Sequence, residues 1–190
     1  MLPCDRWRLE AVLWQISSRD FARLVKRSIL DSLRTMKQLN TQVDVNAPIS
    51  QVWEALLDLS KYGEWNPFIY QVDGSCRLNE VVTVHMHISG KGFQQYRVKL
   101  TKIDEAAKAF YWLGHFHVRG LIDGDHRFEL LRLPDGRTRV RQYELFRGIL
   151  VPLVWNSYIV RHLLPCFEAL NENLKAWCEH APLPHALARP

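Results

Sequence analysis

The chain has 190 residues, of which 47% are hydrophobic and 24% charged, a composition typical of one soluble globular domain with a sizeable core. It contains no apolar run of about 18 residues or more, which excludes a membrane-spanning helix. Its N-terminus also lacks the apolar stretch of a secretory signal. The four cysteines have neither zinc-ligand nor redox spacing, so we expect reduced thiols and a cytoplasmic location.

The net charge of +5 is unevenly distributed along the chain. Residues 1–35 carry seven Lys and Arg against four Asp and Glu, whereas residues 36–190 carry 18 against 16. This small excess favours a solvated basic face over a nucleic-acid partner or stable membrane insertion. We therefore expect neither of those partners, and we expect a monomer or a weak dimer.

The first part of the chain has the pattern of a basic amphipathic helix. Apolar residues recur at helical spacing over residues 18–36, with Arg and Lys between them. The segment that begins at Met36 has the character of a domain start. We therefore interpret residues 1–37 as an extension outside the folded domain, which would span residues 38–179, and we expect its removal to change stability little. An extra helix docked on the domain is the alternative.

The predicted domain opens with a strand and two short helices. The strand runs from Thr41 to Val45 and ends at Asn46-Ala47-Pro48. A helix is predicted over residues 49–59, and the glycine and proline of residues 62–67 indicate a turn before the next strand.

Five later strands share one apolar face. Apolar residues, aromatic residues or glycine occupy nearly every even-numbered position, and polar residues lie between them. One curved antiparallel sheet can therefore present a continuous apolar surface. Too few helices remain to cover it, which predicts an internal cavity. The inward positions are Val82, Val84, Met86, Ile88, Tyr96, Val98, Leu100, Phe110, Trp112, Gly114, Phe116, Gly124, His126, Phe128, Leu130, Val140, Gln142, Glu144 and Phe146.

The last predicted element is a helix from about Leu153 to Cys178 with an apolar stripe on one side. Pro165 lies within it. Because proline has no N–H to donate, we expect a bend or break near residues 161–165. Residues 180–190 are rich in Pro and Ala, which predicts a disordered tail.

Several short segments have a more specific character than the alternation alone. They are Asn46-Ala47-Pro48, Val52-Trp53, Asp58, Tyr62-Gly63-Glu64-Trp65-Asn66-Pro67-Phe68, Leu121-Ile122-Asp123-Gly124-Asp125-His126-Arg127-Phe128, Asp135-Gly136-Arg137-Thr138, Glu144-Leu145-Phe146-Arg147-Gly148, Leu150-Val151-Pro152-Leu153 and Phe167-Glu168-Ala169-Leu170-Asn171.

Together these segments resemble a bacterial branch of the SRPBCC superfamily, whose START-like, polyketide cyclase-type domains have the helix-grip fold. The resemblance covers about residues 38–179. It implies an α+β domain in which a curved seven-stranded antiparallel sheet wraps around a long C-terminal helix, with two short helices after the first strand. Relatives of this kind include lipid carriers, hormone receptors and aromatases, so the fold alone does not fix the chemistry.

Two function classes follow from this fold. One is a module that binds a hydrophobic or aromatic small molecule, lipid-like or polyketide-like, in its cavity. The other is a cyclase or aromatase-like enzyme that acts in the same cavity without a metal, which requires polar groups placed along the reacting chain. The sequence favours binding, and we assign no catalytic residue.

His126 and Glu144 are the candidates for special chemistry. A hairpin centred on Asp135 places them opposite each other, and a hairpin centred near Gly120 would place Gly114 beside His126. The pair is a ligand anchor, an acid/base pair or a structural pair. If the two groups pair, each is expected to stabilise the charged form of the other.

Two His-x-His pairs, His85/His87 and His115/His117, have the spacing of some metal sites. The alternation places all four rings on the outer face, and no further ligand lies nearby in sequence. We therefore expect no metal and no cofactor. The expected ligand-binding residues are Trp65, Phe68, Val84, Met86, Tyr96, Val98, Trp112, Gly114, Phe116, His126, Phe128, Gln142, Glu144, Phe146, Trp155, Tyr158, His162, Leu163 and Phe167.

Overall fold

The computed structural model describes residues 36–116 and 118–187. The predicted N-terminal helix and the proposed extension lie outside the described residues, apart from Met36 and Lys37. Lys37 already belongs to the first strand, which therefore starts before the predicted Thr41.

Seven strands and a few helices make up the described chain. The strands are β1 (Lys37–Val45), β2 (Ile69–Asp73), β3 (Val81–Ile88), β4 (Gly92–Asp104), β5 (Ala109–His115), β6 (Asp123–Arg132) and β7 (Thr138–Arg147). The helices are α1 (Ile49–Leu57), a 3₁₀ turn (Leu59–Lys61), α2 (Tyr62–Trp65), α3 (Val151–Val154), a π-helical segment (Trp155–Leu163) and α4 (Leu164–Cys178).

All seven strands form one antiparallel sheet in the order β1-β7-β6-β5-β4-β3-β2. The connection from β1 to β2 passes through α1, the 3₁₀ turn and α2, and α4 packs against β1 and α1. This is the α+β helix-grip architecture that the sequence predicted. Among the described residues, no helix is long and apolar enough to cross a membrane.

The apolar face predicted from even-numbered positions forms the core. Val98, Trp112 and Phe128 are each less than 5% exposed. The alternation changes once, at a bulge in β4 between Leu100 and Lys102, so that Ile103 lies opposite Phe110. An extra residue in one strand reverses the parity beyond it, which a strict period of two does not predict.

The hairpin registers were predicted with mixed success. His126 lies opposite Glu144, as expected. The preceding hairpin differs by two residues, because Trp112 lies opposite His126 and Gly114 lies opposite Gly124. The Phe116 N–H donates to the Ile122 carbonyl at 2.8 Å, which sets this register.

The C-terminal helix does not break at Pro165. Instead, the helix has π character over Trp155–Leu163 and returns to α geometry from Leu164, with Pro165 in the first turn of α4. Proline there needs no N–H partner.

Residues 181–187 of the predicted disordered tail make contacts with the domain. The Asn173 side chain accepts a hydrogen bond from the His185 N–H at 3.0 Å and donates one to the His185 carbonyl at 3.1 Å. Leu183 packs against the core. These contacts hold the described part of the tail beside α4.

Candidate functional site: an apolar cavity between the sheet and the π-helical segment

A cavity of about 300 Å³ lies between the inner face of β3–β7 and the π-helical segment. It occupies one end of the sheet, since α4 covers the remainder with Phe167, Leu170 and Leu174, all fully buried. The lining residues are Phe68, Met86, Ile88, Tyr96, Val98, Trp112, Gly114, His115, Phe116, Ile122, Gly124, His126, Glu144, Phe146, Val154, Tyr158, Ile159 and Leu163.

Several predicted ligand-binding residues do not line this cavity. Val84 and Trp65 are fully buried, and Trp65 borders a separate depression beside α1. Phe128 and Phe167 lie behind the wall, stacked against the His126 ring at 4.8 and 4.7 Å between centroids.

The other three residues support the wall from outside. Gln142 hydrogen-bonds to His126, and Trp155 packs edge-on against Phe146 at 5.9 Å. His162 Nδ1 donates to the Ser89 carbonyl at 2.8 Å, which ties the π-helical segment to the β3–β4 turn. Strand alternation identifies the face of the sheet that points inward, but it does not distinguish the residues that line the cavity from those that are packed in the core.

Sequence reasoning missed Ile88, His115, Ile122, Gly124, Val154 and Ile159 as lining residues. Ile88 and Gly124 occupy even-numbered positions on the predicted inward face, so the alternation itself could have identified them as lining residues. Ile122 belongs to the β5–β6 loop, and Val154 and Ile159 owe their position to the start of the helix, for which alternation gives no signal.

His126 is buried and held as a neutral imidazole. Burial lowers its pKa to about 3, because removal from water disfavours the charged ring. Phe128 and Phe167 stack on its two faces, and Trp112 meets it edge-on at 5.4 Å. The ring therefore forms part of an aromatic wall.

A chain of polar side chains fixes the tautomer of that ring. Asn171 Nδ2 donates to Thr41 Oγ1 at 2.8 Å, and Thr41 Oγ1 donates to Gln142 Oε1 at 3.2 Å. The Gln142 amide nitrogen then faces His126 Nε2 at 3.0 Å and donates to it. The remaining proton of the neutral ring is thus on Nδ1, the nitrogen nearer Glu144. Neither Thr41 nor Asn171 was predicted from the sequence. Asn171 lies four residues after Phe167 on the apolar stripe, and this position indicates a buried polar group.

The Glu144 side chain reaches the cavity by passing Gly124, which has no side chain to block it. A Cβ atom built on Gly124 would overlap Glu144 Oε1, so only glycine leaves room for this carboxyl group. Burial, assisted by the negative charge of Asp125, raises the pKa of Glu144 to about 8.

The structure does not meet the condition under which His126 and Glu144 are expected to stabilise each other's charged forms. His126 Nδ1 and Glu144 Oε2 are 3.9 Å apart, beyond hydrogen-bonding distance. Burial moves the two pKa values in the directions that favour the neutral forms, and a weak contact at this distance does not reverse that. The two groups are neighbours rather than an ion pair.

Two tyrosines bring further polar groups to the cavity. The Tyr96 hydroxyl donates to Gln94 Oε1 at 3.4 Å, and burial raises the pKa of both Tyr96 and Tyr158. The charge of an ionised Glu144 raises the pKa of Tyr96 further, which shows that these groups share one electrostatic environment.

The histidine pairs differ from each other. His85 lies on the outer face with its Nε2 2.7 Å from Asp73, and the His87 ring packs on Phe93. His115 borders the cavity, with Nδ1 2.7 Å from Asp123 Oδ1, so its assignment to the outer face needs correction. His117 lies outside the described residues. Within the described ranges, no group of three or more His, Cys, Asp or Glu is arranged to hold a metal ion.

A family model described as polyketide cyclase / dehydrase and lipid transport matches residues 36–179. The chain belongs to this family. The match covers the whole described sheet and α4, so the resemblance inferred from the short sequence segments is confirmed. No protein of curated function matches the sequence.

Solved structures with the same fold include enzymes and plant proteins. The Zhui aromatase/cyclase from a Streptomyces species is 17% identical with a TM-score of 0.62, over 77% of this chain and 95% of that one. A norcoclaurine synthase from Thalictrum flavum is 8% identical (TM-score 0.60, 77% and 96%). A major latex-like protein from Panax ginseng is 14% identical (TM-score 0.59, 77% and 99%). At these identities the likeness of this polyketide cyclase / dehydrase family member to them shows the fold alone.

Proposed function

We propose that this protein binds a hydrophobic or aromatic small molecule in the cavity between its sheet and the π-helical segment. One observation carries the proposal: a cavity of about 300 Å³ is walled almost entirely by apolar and aromatic side chains. Small-molecule sites have volumes of roughly 300–1,000 Å³ and are mostly apolar with a few polar groups that orient the ligand.

The shape of the walls supports a flat ligand. Trp112, Phe146 and Tyr158 supply ring faces or edges, and Met86 supplies a flexible side chain that adapts to irregular ligands. The polar groups are few, namely Glu144, His126, His115, Tyr96 and Tyr158. Burial of apolar ligand surface against such walls is favourable by about 25 cal/mol per Å² before the costs of association.

A cyclase or aromatase-like reaction is the second candidate. It is favoured by the neutral carboxyl group of Glu144, whose raised pKa suits a general acid near neutral pH, in a cavity that also holds two tyrosine hydroxyls. Turnover of a polyketone that is lost in Glu144→Gln, while apolar ligands still bind, would support this reading.

The binding proposal is tested by titrating the full chain with N-phenyl-1-naphthylamine, an apolar dye that fluoresces in apolar sites. Leu163→Trp fills the cavity from the π-helical segment, so we expect at least a tenfold loss of dye affinity. Leu153→Trp is the matched control, because Leu153 is 77% exposed and does not line the cavity. No dye binding by the wild-type chain, or equal affinities in all three proteins, would refute the proposal.

A further inference from the structure

Glu144 differs from the other polar groups of the cavity in its lack of a protein partner. Tyr96 donates to Gln94, His115 faces Asp123, and His126 accepts from Gln142. Over residues 36–116 and 118–187, the Glu144 carboxyl group makes no hydrogen bond to another residue. His126 Nδ1 lies 3.9 Å from its Oε2.

The position of this carboxyl group is nevertheless well defined. Its side chain is 15% exposed, and the carboxyl group occupies the space that the missing Cβ of Gly124 leaves free. Phe146, the next inward residue along β7, also approaches Gly124. A buried polar group without a partner costs free energy, so a group held this way gains most from a partner supplied by the ligand.

The surroundings decide which kind of partner fits. The walls are apolar, and the negative charge of Asp125 acts on Glu144 together with burial. Burial of a negative charge here is unfavourable, and the raised pKa of Glu144 agrees with a protonated acid. A protonated carboxyl group presents an O–H donor. A cationic ligand would require both charges to be buried, which is costly in an apolar site.

Resting on the proposed function, we propose that the ligand of this cavity carries a neutral hydrogen-bond acceptor, such as a carbonyl or aryl ether oxygen, and that Glu144 binds this oxygen as a donor. The apolar body of the ligand then lies against Trp112, Phe146 and Tyr158. The proposal names a chemical class for the ligand and assigns Glu144 the role of selecting it.

The experiment compares three probes of nearly the same shape by displacement of N-phenyl-1-naphthylamine. They are 2-acetylnaphthalene, which has an acceptor, 2-ethylnaphthalene, which has none, and 1-(2-naphthyl)ethylamine, which is a cation. We expect the acetyl probe to bind the wild-type chain about tenfold more tightly than the ethyl probe, the effect of one good hydrogen bond.

Variants assign that preference to Glu144. In Glu144→Leu the acetyl and ethyl probes should bind equally, while the affinity for the ethyl probe is kept. Glu144→Gln retains an N–H donor and should keep part of the preference, which gives a second test if the leucine variant does not fold. Glu129→Leu is the control, because Glu129 lies on the outer face with its carboxylate bonded to Tyr111 and Tyr143.

Each contrary outcome has a separate meaning. Equal affinities of the wild-type chain for the acetyl and ethyl probes, or a preference that survives in Glu144→Leu, would overturn the inference and leave apolar binding intact. Tightest binding of the amine would show that Glu144 acts as a carboxylate, which also overturns it. Binding of none of the three probes would overturn the proposed function itself.

Discussion

His126 and Glu144 are cross-strand neighbours on the inner face of the sheet, and the aromatic side chains around them remove both from water. Burial lowers the pKa of His126 to about 3 and raises that of Glu144 to about 8. The imidazole therefore costs stability below its unfolded pKa of about 6.5, and the carboxyl group costs stability above its unfolded value of about 4.5. At neutral pH each group is held in its neutral form.

Glu144→Gln should change the pH dependence of stability in a definite direction. The raised folded pKa means that the wild-type chain loses stability as pH rises from about 4.5 to about 8, and an amide removes that loss. We predict that the difference in unfolding free energy between the variant and wild type shifts in favour of the variant by roughly 2 to 4 kcal/mol as the pH rises from 5 to 9. Urea denaturation at the two pH values measures it.

Glu129→Gln provides a contrast of opposite sign. Burial alone would raise the pKa of Glu129, but hydrogen bonds from Tyr111 and Tyr143 outweigh burial and lower it. The stability that this group contributes is present above its unfolded pKa and is lost as pH falls, so the variant should lose stability relative to wild type at pH 9. Parallel pH profiles for the wild-type chain and Glu144→Gln would contradict a buried neutral acid.

Gly124→Ala should displace the Glu144 carboxyl group. The new methyl group would overlap Oε1, but this atom is the end of a flexible side chain that can move, so we predict a loss of only about 1 kcal/mol of unfolding free energy, at the low end of the cost of overpacking. In a Glu144→Ala background the same change should cost much less, because the obstructing atoms are gone. A double-mutant cycle by urea denaturation measures this coupling, and additive effects of the two changes would disprove the close approach.

At the scale of strands and helices, two features could not be predicted from the sequence patterns. A slip of two residues keeps every side chain on the same face, so alternation predicted the inward face of β5 and β6 correctly but misplaced Gly114 beside His126. The missing information lies in the loop, where the Gly120 N–H donates to the Asp123 carboxylate and the Phe116 N–H to the Ile122 carbonyl.

The π-helical segment is the second such feature. Pro165 indicated a disturbance of the helix, and the structure accommodates it through π geometry over Trp155–Leu163 rather than through a break. Single π turns occur frequently at functional sites, and here the segment supplies Tyr158, Ile159 and Leu163 to the cavity. The type of disturbance depends on how the helix packs on the sheet, which the proline alone does not specify.

Pro165→Ala should therefore affect the cavity more than stability. The restored N–H can donate to the carbonyl four residues earlier, which favours α geometry and turns Tyr158 and Leu163 away from their present positions. We predict a loss of at least fivefold in N-phenyl-1-naphthylamine affinity with a change of less than about 1 kcal/mol in unfolding free energy. Pro152→Ala, in the first turn of α3, is the matched control, and equal dye affinities in both variants would argue against the role of the π segment.

At the scale of the whole molecule, the fold follows from features that the sequence expresses directly. Alternation defines the sheet, the apolar stripe defines the last helix, and the hairpin at Asp135 defines the β6–β7 register. The cavity is less evident, because it depends on which part of the inner face α4 leaves uncovered. Phe128 satisfied the same alternation as Trp112, and Phe167 lies on the apolar stripe of the last helix, yet both pack against His126 behind the wall.

The central claim is that an apolar ligand occupies the space between the sheet and the π-helical segment. A crystal structure of the full chain with N-phenyl-1-naphthylamine bound tests it most directly. We predict that the naphthalene ring contacts Trp112, Phe146 and Tyr158, with the dye enclosed by the sheet. Dye bound instead on the outer face near Phe93, or in the depression beside Trp65, with the cavity unchanged, would contradict it.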